Sequence, residues 1–164
     1  MGKIDRNWLI SREFSGFATV EELREDNVAP RVQGVYAVLR ESSEPPRFLG
    51  RSVGGHFKGK DPTVPIDTLQ NSWIPDSGLL YIGKAGKSDS GQTIRRRLKQ
   101  YLDFGSGKPV GHWGGRFIWQ LEDSPQLRIA WRELSGIEPR SVESQLIAEF
   151  ESQMGALPFA NLVR

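Results

Sequence analysis

The 164-residue chain contains no cysteine, which closes off disulfides and thiolate metal sites. With only two histidines, His56 and His112, it also lacks the side chains for a four-ligand zinc site. Any metal would have to be a hard ion held by carboxylate oxygens. No apolar run approaches the roughly 20 residues that cross a bilayer. Residues Met1 to Asn7 are polar with no apolar segment behind them, so neither a membrane nor a secreted destination is expected; the expectation is a cytoplasmic protein. Low-complexity segments and internal repeats are also missing. With 26% charged and 37% hydrophobic residues, the composition is that of a globular domain able to bury a real core.

The formal charge is only +2, but it is unevenly spread. From Lys84 to Tyr101 six basic residues, including Lys87, Arg95, Arg96 and Arg97, face the single acid Asp89, a local net of +5. From Arg47 to Lys60 there are four basic residues (Arg47, Arg51, Lys58, Lys60) and no acid. Such stretches can neutralise phosphates in a chain that is nearly neutral as a whole. On charge alone, ordinary solvated surfaces explain them equally simply.

Element signals follow the chain. Thr19 and Glu22 have capping-box spacing and open a helix over 19–26. Gly34–Arg40 and Leu79–Gly83 read as strands. Between them, residues 41–78 hold five prolines and five glycines with no sustained period, a long excursion with one short element at most. Ile94, Leu98, Tyr101 and Leu102 mark a helix over 92–103, with Gly105 as its stop. Phe117–Leu121 and Leu127–Arg132 read as two strands around a turn at Ser124-Pro125. The last helix is expected over 141–154 with Ser141 as its cap, and the tail 157–164 is apolar enough to dock.

Within the last helix, Leu146, Ile147, Phe150 and Met154 lie at +3, +4, +7 and +11 from Glu143, so this carboxylate points where apolar side chains point. A carboxylate on that stripe needs a cation, a donor or a metal; a first-turn glutamate favoured by the helix dipole explains its type but not its direction. Glu149 and Glu151 fall on polar faces. On the earlier helix, Arg96 points away from the apolar stripe, while Arg95 and Arg97 flank it and either suits a phosphate. Tyr36 and Tyr81 each sit in a strand near a glycine. His112 lies in Gly111-His112-Trp113-Gly114-Gly115-Arg116, a turn that lets backbone approach a ligand. Gly83-Lys84-Ala85-Gly86-Lys87-Ser88 imitates a phosphate-binding loop, but the position that needs its first glycine is Tyr81, so a P-loop ATPase is set aside.

Taken in order, Gly34-Val35-Tyr36, Tyr81-Ile82-Gly83-Lys84-Ala85, Ile94-x-x-Arg97-Leu98-x-x-Tyr101, Glu143-x-x-Leu146-Ile147-x-x-Phe150 and Pro158-x-x-Asn161 resemble the GIY-YIG nuclease family over about residues 31–164. The resemblance implies a small α/β (α+β) fold, an antiparallel sheet flanked by helices, with residues 1–30 as a helical extension and 41–78 as an insertion. It implies a divalent-metal-dependent endonuclease acting on DNA. Under that resemblance Tyr36 would assist or act as base on the attacking water, Tyr81 would hydrogen-bond water or phosphate, Arg97 would hold the phosphate, and Asn161 would close the site and position phosphate or neighbouring side chains. Glu143 binds a single Mg²⁺ or Mn²⁺. Lys84 and His112 fall where family members place a further basic or polar group. Arg95, Lys87, Arg47, Arg51, Lys58, Lys60 and Arg116 are the expected DNA contacts. A nucleic-acid-binding module on the same fold with little cleavage, and an RNA-directed nuclease, are the other readings. The chain departs from the family pattern in the 45 positions between Tyr36 and Tyr81, in the Gly86–Gly91 stretch, and in the distance from Glu143 to Asn161.

Overall fold

A computed structural model describes residues 2–86 and 91–162. It is an α+β fold built on one four-stranded, wholly antiparallel sheet in the order β1-β4-β2-β3. The elements are α1 (Arg6–Ile10), β1 (Ser15–Thr19), α2 (Val20–Glu25), β2 (Gly34–Leu39), α3 (Ile66–Ser72), β3 (Leu79–Ala85), α4 (Ile94–Gly105), β4 (Arg128–Glu133) and α5 (Pro139–Met154). None of the described helices is long and apolar enough to cross a membrane.

β2 is central and every one of its residues is buried. Its alternating side chains divide the core. Tyr36 and Val38 join Ile94, Leu98, Tyr101 and Trp119 on the α2–α4 face. Val35, Ala37 and Leu39 join Leu146, Ile147 and Phe150 on the α1–α5 face. This period of two is what a strand covered on both sides requires.

Local chemistry sets most boundaries. The Thr19–Glu22 capping box forms as its spacing predicts. Thr93 caps α4 by accepting from the Arg96 N–H at 3.2 Å. Residues 1–30, expected as a helical extension, also supply β1, which pairs along β4. The expected strand Phe117–Leu121 is instead a 3-10 helix, Arg116–Gln120. Phe117 through Gln120 are all buried, and an apolar run without alternation does not distinguish a strand from a tight helical turn. α5 starts at Pro139, not at Ser141: proline's fixed φ suits the first helical position, and Ser141 lies inside the helix. Gly105 does not stop α4 but is its last residue, packed against the Trp119 ring.

The 41–78 segment is tied to the body rather than free. Leu49 and Val53 donate to the Gln120 and Trp119 carbonyls at 2.8 and 3.1 Å. The buried Gln120 amide donates to the Leu49 and Val64 carbonyls and accepts from the Val64 N–H. Phe48, Trp73 and Phe159 pack ring against ring, so the insertion and the C-terminal tail share one aromatic cluster.

Candidate active site

Because β2 and β3 are antiparallel, Tyr36 pairs with Gly83 and Val38 with Tyr81, which puts both tyrosines on one face as diagonal neighbours. Their ring centroids are 6.1 Å apart. A glycine is required at position 83 because the Tyr36 ring lies across it; a Cβ there would stand 2.4 Å from Cζ. α4 brings Arg97 to the tyrosines and α5 brings Glu143. Together with Lys84, Gly86 and Gln92 these residues line a cleft of about 310 Å³.

The wheel of α4 left Arg95 and Arg97 open, and the structure separates them. Arg97 enters the cleft and donates to Gln100 Oε1 at 3.1 Å, which orients its guanidinium. Arg95 turns the other way and donates to the Ala29 carbonyl at 2.6 Å. Gln92 and Gln100 were not singled out in the sequence, although Gln100 sits one turn beyond Arg97 and so was reachable from helical spacing. Tyr101, one turn along α4 from Arg97, is committed elsewhere. Its hydroxyl donates to the Gly115 carbonyl at 2.8 Å and its ring stacks on His112, centroids 4.1 Å apart.

His112 is buried and joins the site from behind. Its Nδ1 lies 2.9 Å from the Gly114 carbonyl and its Nε2 lies 2.9 Å from Tyr36 Oη. A carbonyl only accepts, so Nδ1 carries the proton and Nε2 takes the hydrogen bond donated by Tyr36. Burial, helped by the Arg97 charge, pushes the imidazole down to about 3, so it is neutral near pH 7. Burial also raises both phenols, Tyr81 to about 12 and Tyr36 well above its usual value. The glycine-rich turn does approach its neighbours closely, but those neighbours are tyrosines. Gly115 has φ +78, and a Cβ there would stand 2.9 Å from Tyr81 Cζ.

Val142, Leu146, Ile147 and Phe150 are buried, whereas Glu143 at the top of their stripe is half-buried and opens into the cleft. Desolvation raises its pKa, against the opposing charges of Lys84, Arg140 and Arg97. Glu149, on a polar face of the same helix, is instead held by Arg12 at 2.8 Å. Among the described residues no three acidic or imidazole side chains converge on one point. A lone carboxylate beside an anion-sized space fits a hard divalent ion that keeps most of its waters, and fits no ion that needs a full protein cage.

Other expected site residues lie elsewhere. Asn161 does not line the cleft: its amide accepts from the Ile82 N–H and donates to the Ile82 carbonyl, both at 2.9 Å. It therefore closes the open edge of β3 between Tyr81 and Gly83, and Ala160 adds a bond to the Leu80 carbonyl. Arg47, Arg51, Lys58 and Lys60 are exposed on the insertion, away from the cleft lining. Arg116 stacks over Trp113 and Phe117. Lys87 lies outside the described residues. Compared with known families, curated proteins and solved structures, the chain shows no match.

Proposed function

We propose that the chain is a divalent-metal-dependent endonuclease of the GIY-YIG type that hydrolyses phosphodiester bonds in DNA. The observation that carries this reading is the convergence of two phenols, a guanidinium, an ammonium and one carboxylate, from two strands and two helices, on a single phosphate-sized cleft. Arg97, aimed by Gln100, and Lys84 neutralise charge that develops on the phosphorane oxygens. Glu143 holds a single Mg²⁺ or Mn²⁺, which supplies Lewis-acid stabilisation of developing oxyanions when bound. The Tyr36 oxygen, its own proton directed at His112 Nε2, has a lone pair for the attacking water beside its hydrogen bond with the Tyr81 hydroxyl. As water adds to phosphorus, Tyr36 takes a water proton and passes its own to His112, while the bond from phosphorus to the leaving oxygen breaks and that oxygen takes a proton from solvent. A resting imidazole shifted to about 3 is a poor acceptor. An entering phosphate anion offsets the Arg97 charge and moves it towards basicity.

The test is incubation with supercoiled plasmid and with RNA, in Mg²⁺ and in chelator. Metal-dependent nicking of the plasmid is expected, and Glu143→Gln should lose it. A variant that cuts as well as wild type overturns the metal assignment. No cutting of either substrate replaces this reading with a nucleic-acid-binding module.

A further inference from the structure

The side of α4 that faces away from the tyrosines lines a second, larger depression. It runs between α2 and α4 and encloses about 800 Å³. Leu23 and Leu102 supply its apolar lining, and Arg24, Arg31, Arg96, Lys99 and Lys108 are the cations along it. Arg95 also lines it, although that guanidinium is committed to the Ala29 carbonyl. The one acid there, Asp103, sits between Lys99 at 2.6 Å and Lys108 at 3.4 Å and cannot balance the rest. Among the described residues Arg31 and Arg96 have no ion-pair partner. Arg24 is exposed, with its guanidinium 5.4 Å over the Trp119 ring.

Cations gathered in a cleft repel one another and concentrate a positive potential, an arrangement that suits a polyanion. Four of the six are arginines, whose planar forks match phosphate and also stack on bases. The planes of those arginines can stack on the unpaired bases of a single strand, which a duplex keeps stacked inside, while their forks meet phosphates. Arg96 and Arg97 are consecutive on α4, so a strand crossing this helix passes from one depression to the other.

We infer that the α2–α4 groove binds a single nucleic-acid strand, with its phosphates and unpaired bases on Arg24, Arg31 and Arg96. The strand's continuation into the cleft rests on the nuclease reading; binding in the groove does not. The test is fluorescence anisotropy with a labelled single-stranded oligonucleotide, in DNA and RNA versions, and with a blunt duplex, over a series of salt concentrations. Arg31 and Arg96 are exposed, so R31Q/R96Q should fold as wild type, with circular dichroism as the check. The double variant should bind the single strand at least about tenfold more weakly. Its log Kd against log salt slope should fall by about 1.4, from about 0.7 per lost phosphate contact. Equal affinity and slope for wild type and R31Q/R96Q overturn the groove. Tighter binding of the duplex overturns the single-strand assignment, and competition by polyglutamate as strong as by oligonucleotide overturns nucleic acid as the occupant. Loss of nicking with groove binding intact sinks the nuclease reading alone.

Discussion

Tyr36 has one proton, and where it points decides what the residue can do. Because His112 Nδ1 is committed to the Gly114 carbonyl, the imidazole cannot switch tautomer without breaking that bond. Replacing Tyr36 by Phe therefore leaves Nε2 buried without a donor, at a cost of about 1–3 kcal/mol. The same change removes the group facing the water, and nicking should fall about 10²–10⁴-fold. Urea unfolding alongside the plasmid assay reads both; a variant as stable as wild type would rule out the donor assignment. Glu143 should behave in the opposite way. Its raised pKa means that folding makes its charge harder to keep. Above the folded pKa the ionised carboxylate is a liability, relieved as pH falls through that value. Glu143→Gln should thus lose about 10²-fold or more in nicking without lowering the melting temperature at pH 7. A clear drop in melting temperature would mean that the carboxylate is a structural partner of Lys84 or Arg140 instead.

At the scale of elements, the β2–β3 pair is the device that makes the site. Register alone places Tyr36 opposite Gly83 and diagonal to Tyr81. A Gly83→Ala methyl would meet the Tyr36 ring at 2.4 Å and its hydroxyl oxygen at 2.6 Å, so the ring must move. The expected penalty is about 1–3 kcal/mol, with nicking lost because Tyr36 leaves its place. A crystal structure of the variant with Tyr36 unmoved would contradict that account. Both strands and Thr19's capping box were legible because their signals are local: β-branched and aromatic residues and a three-residue spacing. Glu143 was legible for the same reason, its helical stripe needing no tertiary knowledge. What escaped is set by long-range contact. Asn161 looked like a site residue, yet its amide is used up by the Ile82 backbone, a pairing 79 positions distant. Residues 117–121 carry the composition of a strand, and only the position of the insertion against Gln120 shows why they curl. The choice between Arg95 and Arg97 likewise waited on Ala29 and Gln100.

For the molecule as a whole, a buried neutral imidazole makes stability depend on pH in a calculable direction. The unfolded chain's His112 takes a proton as pH drops below about 6.5, whereas the folded one refuses it until about 3. Between these values the unfolded state binds more protons, so stability falls as the solution is acidified. At about 1.4 kcal/mol per pH unit the full loss across the window is on the order of 5 kcal/mol, a large share of a small domain's margin. Carboxylates held low by their partners also lose stabilisation on acidification: Glu22 by Thr19, Glu41 by Arg6 and Asp61 by Thr63, with Asp103 held by its two lysines. Those losses are common to wild type and to a His112→Gln variant, whose amide oxygen can still accept from Tyr36 but has nothing to titrate. The difference between the two proteins' unfolding free energies at pH 7 and at pH 4 therefore isolates the imidazole. Wild type should lose several kcal/mol more than the variant, most of it between pH 6.5 and 4. Parallel curves would mean that His112 is solvated or charged in the folded state. The relay from Tyr36 would then have no neutral acceptor, and the cleft would have to find its base elsewhere.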